Sequence, residues 1–274
     1  MRHSLPLVEL HVANACNLTC DSCSHFSNSG HRGMLSPEEA RAWLAPWSRR
    51  LAPENFRLLG GEPTLNPRLV EFVKIGRDAF PDTRLEVVTN GFFLHRQPEL
   101  PRALAEARAT VELTIHHRSP EYLAQLEPVH ALLAEWRQTY GVEHTIEVAD
   151  LRWTRRYHGF GPDVRPYDDR NLRASWEQCP ASDCRQLFRG RLWKCSPITY
   201  LRLQKEAFSE ISSEWDPYLA YQGIEPGCTD EELHAFLARQ EEPICGMCPA
   251  DPEQFEKESP LIPRAALLKA VRAR

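Results

Sequence analysis

Leu7-Val8-Glu9-Leu10-His11-Val12-Ala13-Asn14-Ala15-Cys16-Asn17-Leu18-Thr19-Cys20-Asp21-Ser22-Cys23 is a short aliphatic run that empties into three closely spaced cysteines. Leu7–Val12 has the length and content of a strand closed by a polar turn. The same rhythm repeats downstream. Phe56–Leu59, Arg84–Thr89, Val111–His116 and Thr145–Ala149 are short runs rich in Val, Ile, Leu or Thr, each ending in a polar or glycine-bearing turn. Helix patterns lie between them. Ser36-Pro37-Glu38-Glu39 is a capping box with proline at the first helical position, opening a helix through Ala40, Trp43 and Leu44. Pro67 to Phe80 carries Leu69, Val70, Phe72, Val73 and Ile75 near a 3.6-residue period. Ser119-Pro120-Glu121 opens a third helix with Leu123, Leu126, Leu132, Leu133 and Trp136.

Strand–helix alternation at this spacing predicts an α/β fold with a parallel sheet and crossover helices, open or closed into a partial barrel. Sites in such folds sit at the carboxyl ends of the strands. There the sequence places the Cys16 loop, Gly60-Gly61-Glu62-Pro63, Thr89-Asn90-Gly91 and His116-His117.

The 274 residues are long for one ordinary domain and short for two, which fits a large domain with an appendage. With 42% hydrophobic and 26% charged residues, the composition excludes disordered, collagen-like and coiled-coil classes. A net charge of −5 supplies no basic field for nucleic acid or an anionic membrane. No apolar run approaches the ~20 residues of a membrane span, and Met1–Pro6 has no signal-peptide character. The expectation is a cytoplasmic protein with neither a nucleic-acid nor a membrane partner. In that compartment nine cysteines, an odd number, do not make a disulfide framework.

The rhythm breaks after about Asp150. Residues 152–169 are irregular, basic and aromatic. Cys179 to Cys195 reads as a hairpin, with Leu187-Phe188-Arg189, a turn at Gly190-Arg191, and Leu192-Trp193-Lys194. Thr229-x-x-Glu232 caps a short helix to about Arg239, and Cys245-Gly246-Met247-Cys248-Pro249 follows. A basic amphipathic helix pattern from Pro263, with Arg264, Lys269, Arg272 and Arg274, reads as a solvated face.

The chemistry lies in the cysteine spacing. Three thiolates on one tight loop, as C-x3-C-x2-C, can grip three irons of a cubane cluster and leave the fourth open. Structural zinc takes four closed ligands, and His25 is the local candidate for a fourth. The spacing favours iron–sulfur.

This loop after the first strand, with Gly60-Gly61-Glu62-Pro63 after the second and Thr89-Asn90-Gly91 after the third, resembles the radical S-adenosylmethionine (SAM) superfamily over roughly residues 5–150. The resemblance implies a partial (β/α)6-type barrel in which Cys16, Cys20 and Cys23 hold a 4Fe-4S cluster whose open iron chelates SAM. It implies that the turn of Gly60, Gly61, Glu62 and Pro63 meets the SAM amino group, its glycines allowing a close backbone approach. Asn90 becomes a candidate contact to ribose or carboxylate, and Thr114 and His116 candidates for the same ligand. His116 and His117 read equally well as packing residues. In this family an aromatic residue often precedes the third cysteine; here it is Ser22. The chemistry implied is one-electron cleavage of SAM to a 5′-deoxyadenosyl radical, with flavodoxin or ferredoxin as the kind of electron donor.

Cys179-x4-Cys184-x10-Cys195 followed by Cys245-x2-Cys248 resembles the twitch domain, the shortened SPASM extension that carries one auxiliary 4Fe-4S cluster. Cys195, Cys245 and Cys248 are the strongest ligand candidates. The fourth is Cys184 or Cys179, with Cys184 preferred because it sits directly at the hairpin; a zinc ribbon is the alternative. Cys228 is left over, either a packed loop thiol or a hydrogen-atom donor that would make the reaction an epimerisation. Without such a donor, electron transfer to the auxiliary cluster would give oxidation.

The resulting division is a radical SAM core (1–150), a connecting and substrate-lining segment (151–178), a twitch/SPASM-like domain (179–250), and a tail with a helix (251–274). Short flanks leave no room for a peptide-recognition domain, which favours a small sugar, aminocyclitol or related metabolite over a ribosomally made peptide. Arg152, closest to the last strand end in the Arg152–His158 segment, is the candidate substrate contact. Outside this class, the alternative is a non-catalytic iron–sulfur or zinc scaffold.

Overall fold

The computed structural model describes residues 2–261, so the helix pattern from Pro263 lies outside the described residues. The chain forms two compact units. The first comprises Met1–Asn17 and Arg32–Arg152; the second comprises Leu18–His31 and the chain from Trp153 onward.

In the first unit, β1 (His3–Ala13), β2 (Leu51–Gly60), β3 (Arg84–Thr89), β4 (Thr110–Ile115) and β5 (His144–Val148) are parallel and stand in the order β5-β4-β3-β2-β1. All five strand readings hold, with β1 and β2 extended toward their N-termini. Between them lie α1 (Pro37–Trp47), α2 (Leu69–Ala79), α3 (Leu100–Glu106), α4 (Pro120–Ala124) and α5 (Glu127–Tyr140). The Ser36 capping box forms, Glu39 N–H donating to Ser36 Oγ at 3.2 Å and Ser36 N–H to Glu39 Oε2 at 3.0 Å. The expected third helix is two helices. Pro128 in the first turn of α5 has no N–H to continue the hydrogen-bond ladder from α4, so the chain restarts there. The seven residues of α3 are too few to register as a period.

Alternation along the strands separates two faces. Phe56, Leu58, Leu85, Val87, Val111 and Leu113 are buried on one side, where Phe56 and Leu85 meet Gly76 of α2. The other face is polar. Glu9, Arg57 and Glu86 stand in register across β1, β2 and β3. Arg57 reaches Glu86 Oε2 and Glu112 Oε2, each at 2.9 Å. Burial raises the Glu112 carboxyl above its ordinary range while Arg57 opposes the shift.

The second unit contains the hairpin β6 (Cys184–Phe188) and β7 (Arg191–Trp193), with Phe188 opposite Arg191. Its turn is Arg189-Gly190, one residue earlier than the sequence suggests. Both residues are left-handed, φ 52° and 76°, the mark of a type I′ turn that matches strand twist. Helices α6 (Leu172–Glu177), α7 (Ser196–Ala207), α8 (Asp216–Leu219) and α9 (Asp230–Ala238) complete it, α9 carrying the Thr229 capping box. Trp215, fully buried in this unit, donates its indole N–H to Val164 O at 2.9 Å. No helix among the described residues is long and apolar enough to cross a membrane.

Candidate active site and thiol clusters

In the first unit the candidate residues gather at the carboxyl ends of the strands. Beyond β2, Gly61 N–H donates to Ala13 O and Glu62 N–H to Ala15 O, each at 2.8 Å, so the turn runs against the backbone that leads into Cys16. A β carbon at Gly60 would stand 2.3 Å from Ala13 O, and one at Gly61 2.2 Å from Ala15 O. The close approach that these glycines permit is to the chain's own β1 end. Gly61→Ala is therefore expected to destabilise the fold by about 3 kcal/mol or more, because backbone on both sides must move. A thermal melt of the full chain measures it, and an unchanged midpoint would contradict this packing.

Glu62 is a strut. Its buried carboxylate accepts from Thr64 N–H at 3.0 Å, from Thr89 Oγ1 at 2.6 Å and from Asn90 N–H at 2.9 Å, tying the end of β2 to the end of β3. Burial pushes this carboxyl upward, and its donors pull it back. Pro63 opens the short 3-10 turn Pro63–Leu65. Asn66 Nδ2 fastens that turn to Val12 O at 2.8 Å, and Gln97 Nε2 fastens it to Thr64 O at 2.9 Å. Asn90 Nδ2 donates to Asn17 Oδ1 at 2.9 Å and lies 3.9 Å from Cys16 Sγ. Cys16 and Asn90, far apart in sequence, thus come together, with Asn17 as an unanticipated third member. The Thr114 hydroxyl, near the end of β4, is buried with no hydrogen-bond partner among the described residues. His116 N–H donates to Tyr122 Oη at 3.2 Å. Arg152 is exposed and pairs with Glu147 of β5.

The rest of the first cysteine loop belongs to the second unit. Cys20 is buried, and burial raises the Cys23 thiol while the backbone of residues 25–28 around it opposes the rise; Phe26 N–H donates to Cys23 O at 2.9 Å. Ser22 is buried at φ 58°, its hydroxyl accepting from Arg156 N–H at 2.6 Å. Burial lowers the His25 imidazole to about 4, and its ring lies 5.6 Å from that of Tyr200.

In the Arg152–His158 segment, which reads equally as pocket lining and as a basic surface loop, several residues hold the cysteine loop. Trp153 Nε1 donates to Asp21 O at 2.8 Å, and Arg155 pairs with Asp21 at 3.3 Å. Tyr157 donates to Cys23 O at 3.2 Å and stacks on Phe26 at 4.8 Å. The aromatic residues here are hydrophobic anchors with one polar tip satisfied.

Elsewhere in the second unit, Cys179, Cys195, Cys245 and Cys248 line one cavity, with Lys194, Ser175 and Trp176 among its other walls. Cys179 follows α6 directly. From α6, Ser175 Oγ donates to Cys248 O at 3.1 Å, which draws the two ends together. Cys195 caps the N-terminus of α7. Burial and the neighbouring thiols push Cys195 up to about 12, and raise Cys245 and Cys248 as well. Cys195, Cys245 and Cys248 therefore resist ionisation unless a cation takes the charge. Four cysteines on one cavity suit a metal cluster by their chemistry, while among the described residues no group of three or more Cys, His, Asp or Glu is arranged to hold a metal ion. The preference for Cys184 as fourth member gives way to Cys179. Cys184 begins β6 outside this lining, its Sγ 4.0 Å from Pro180 O. Cys228, just before the α9 cap, is also outside the lining.

A family model described as the radical SAM superfamily matches residues 10–151. The chain belongs to that superfamily, which implies a 4Fe-4S cluster and SAM. Among curated relatives, GTP 3′,8-cyclase of Campylobacter curvus is 29% identical over 134 residues, 46% of this chain and 40% of that protein. The FeMo cofactor biosynthesis protein NifB of Chlorobaculum tepidum is 32% identical over 133 residues, 44% of this chain and 30% of that protein. The match thus spans two fifths or less of these two relatives' length. Among solved structures, BtrN in complex with AdoMet and 2-DOIA aligns with 93% of this chain and 98% of its own, at TM-score 0.54 and 18% identity, a likeness of fold.

Proposed function

We propose that the chain is a radical SAM enzyme with a second, auxiliary 4Fe-4S cluster, acting on a small polar substrate by oxidation or epimerisation. A sugar, an aminocyclitol or a related metabolite is the substrate class. Cys16, Cys20 and Cys23 would hold the first cluster, which with SAM would supply the radical chemistry that removes a hydrogen atom from an unactivated substrate carbon. The observation that carries the reading is the convergence of Cys179, Cys195, Cys245 and Cys248 on one cavity, since four thiolates complete a closed cluster.

The polar face of the sheet supports the substrate class. Arg57 and the carboxylates of Glu9, Glu86 and Glu112 offer donors and acceptors suited to hydroxyls and amines. The Thr114 hydroxyl, buried without a partner among the described residues, is available to SAM or substrate. Asn90 and the Gly60–Pro63 turn serve the SAM side, with Glu62 holding both in place. Arg152 is the candidate substrate contact and Cys228 the candidate hydrogen-atom donor.

Anaerobic reconstitution tests the reading. The full chain is expected to bind about eight irons, absorb broadly near ~400 nm, and form 5′-deoxyadenosine once reduced flavodoxin or ferredoxin is supplied. About four irons would remove the auxiliary cluster, and a colourless zinc protein would leave only a scaffold.

A further inference from the structure

We propose that Lys194 is a positioning charge that sets the reduction potential of the auxiliary cluster, with Glu242 as its anchor. The inference rests on the two-cluster reading above. Lys194 follows β7, precedes Cys195, and lines the same cavity as the four thiols. Lysine is almost never buried unless paired, yet Lys194 is only 4% exposed. Its ammonium lies 2.8 Å from Glu242 Oε1, donates to Gln240 O, and reaches Arg239 O at 3.4 Å. Glu242 shares its carboxylate with the Arg239 guanidinium at 3.2 Å. Two cations therefore meet one carboxylate: Arg239 is half-exposed, while the Lys194 ammonium is buried beside the cavity, with Glu241 also acting on it.

A well-packed apolar pair would fasten this loop as firmly, because burying an ion pair returns little net stability. An ammonium retained here finds its use in the negative charge of four metal-bound thiolates. Glu242 links the two directly, since its main-chain N–H donates to Cys245 Sγ at 3.5 Å. Adding one electron to the cluster makes it more negative. A fixed cation that lines the cavity, and that already acts on the Cys195 and Cys245 thiols, therefore favours the reduced form and raises the potential.

The test is an anaerobic titration with dithionite followed by electron paramagnetic resonance. It uses the full chain in a Cys16→Ala background, so that only the auxiliary signal is read. Lys194→Met is expected to keep the iron and shift the midpoint to more negative potential, while Lys194→Arg stays near the parent. Glu242→Gln, which leaves the ammonium uncompensated, is expected to shift it to more positive potential. Unchanged midpoints, or shifts of the same sign in the Met and Gln variants, overturn the proposal. If Lys194→Met fails to load iron, the Gln variant decides alone: only a positive shift sustains the role. A parent that itself shows no second cluster defeats the two-cluster reading instead, and iron counting distinguishes that outcome before any titration.

Discussion

Cys16→Ala is expected to reduce SAM cleavage to background and to remove about four of about eight irons. The superfamily requires three thiolates to hold a cluster with one open iron, and Cys16 is the member that stands at the end of β1, 3.9 Å from Asn90 Nδ2. Alanine removes a ligand that nothing adjacent can replace. Asn17 and Asn90, which hydrogen-bond each other at 2.9 Å, offer only amides, which are hard oxygen and nitrogen donors where iron in a cluster takes sulfur. The thiols around the cavity of the second unit are untouched, so the residual iron should keep a cluster spectrum. Measuring 5′-deoxyadenosine and iron on the same anaerobic sample checks both halves. Sustained 5′-deoxyadenosine formation would show that the loop assignment is wrong.

The features legible in the sequence are those that local chemistry writes. Five strands, the Ser36 and Thr229 caps and the C-x3-C-x2-C loop each depend on residues within a few positions of one another. The residues that support the site are different. Asn66 and Gln97 pin the turn after β2, and Thr89 satisfies Glu62, through contacts that cross 27 to 54 residues of chain. None of these three residues carries a signal for this in a single sequence, because a polar side chain on a loop or at a strand end usually faces water. The same holds for residues 153–157. Their basic and aromatic composition suits a sugar pocket as well as it suits anchoring, and only burial distinguishes the two: Tyr157 is 2% exposed against Phe26. Lys194 likewise reads as an ordinary strand-end cation until its position beside four thiols is known.

The choice between Cys179 and Cys184 predicts the sharpest contrast in the protein. Sequence adjacency to the hairpin favours Cys184, but Cys184, the first residue of β6, lies outside the cavity lining. Cys179 lies at the exit of α6, the helix whose Ser175 holds Cys248, so helix and cysteine turn form one wall of the cavity. Cys179→Ala is therefore expected to lose the auxiliary cluster, leaving about four irons and uncoupled formation of 5′-deoxyadenosine without product. Cys184→Ala is expected to keep about eight irons, because its sulfur does not face the cavity. Alanine at position 179 leaves three thiols around an open metal position, so added thiolate such as β-mercaptoethanol should partly restore the second signal in that variant and do nothing in the other. Equal iron loss in both variants would mean that Cys184 moves into the cavity when metal binds. Full iron in Cys179→Ala would remove it from the ligand set altogether.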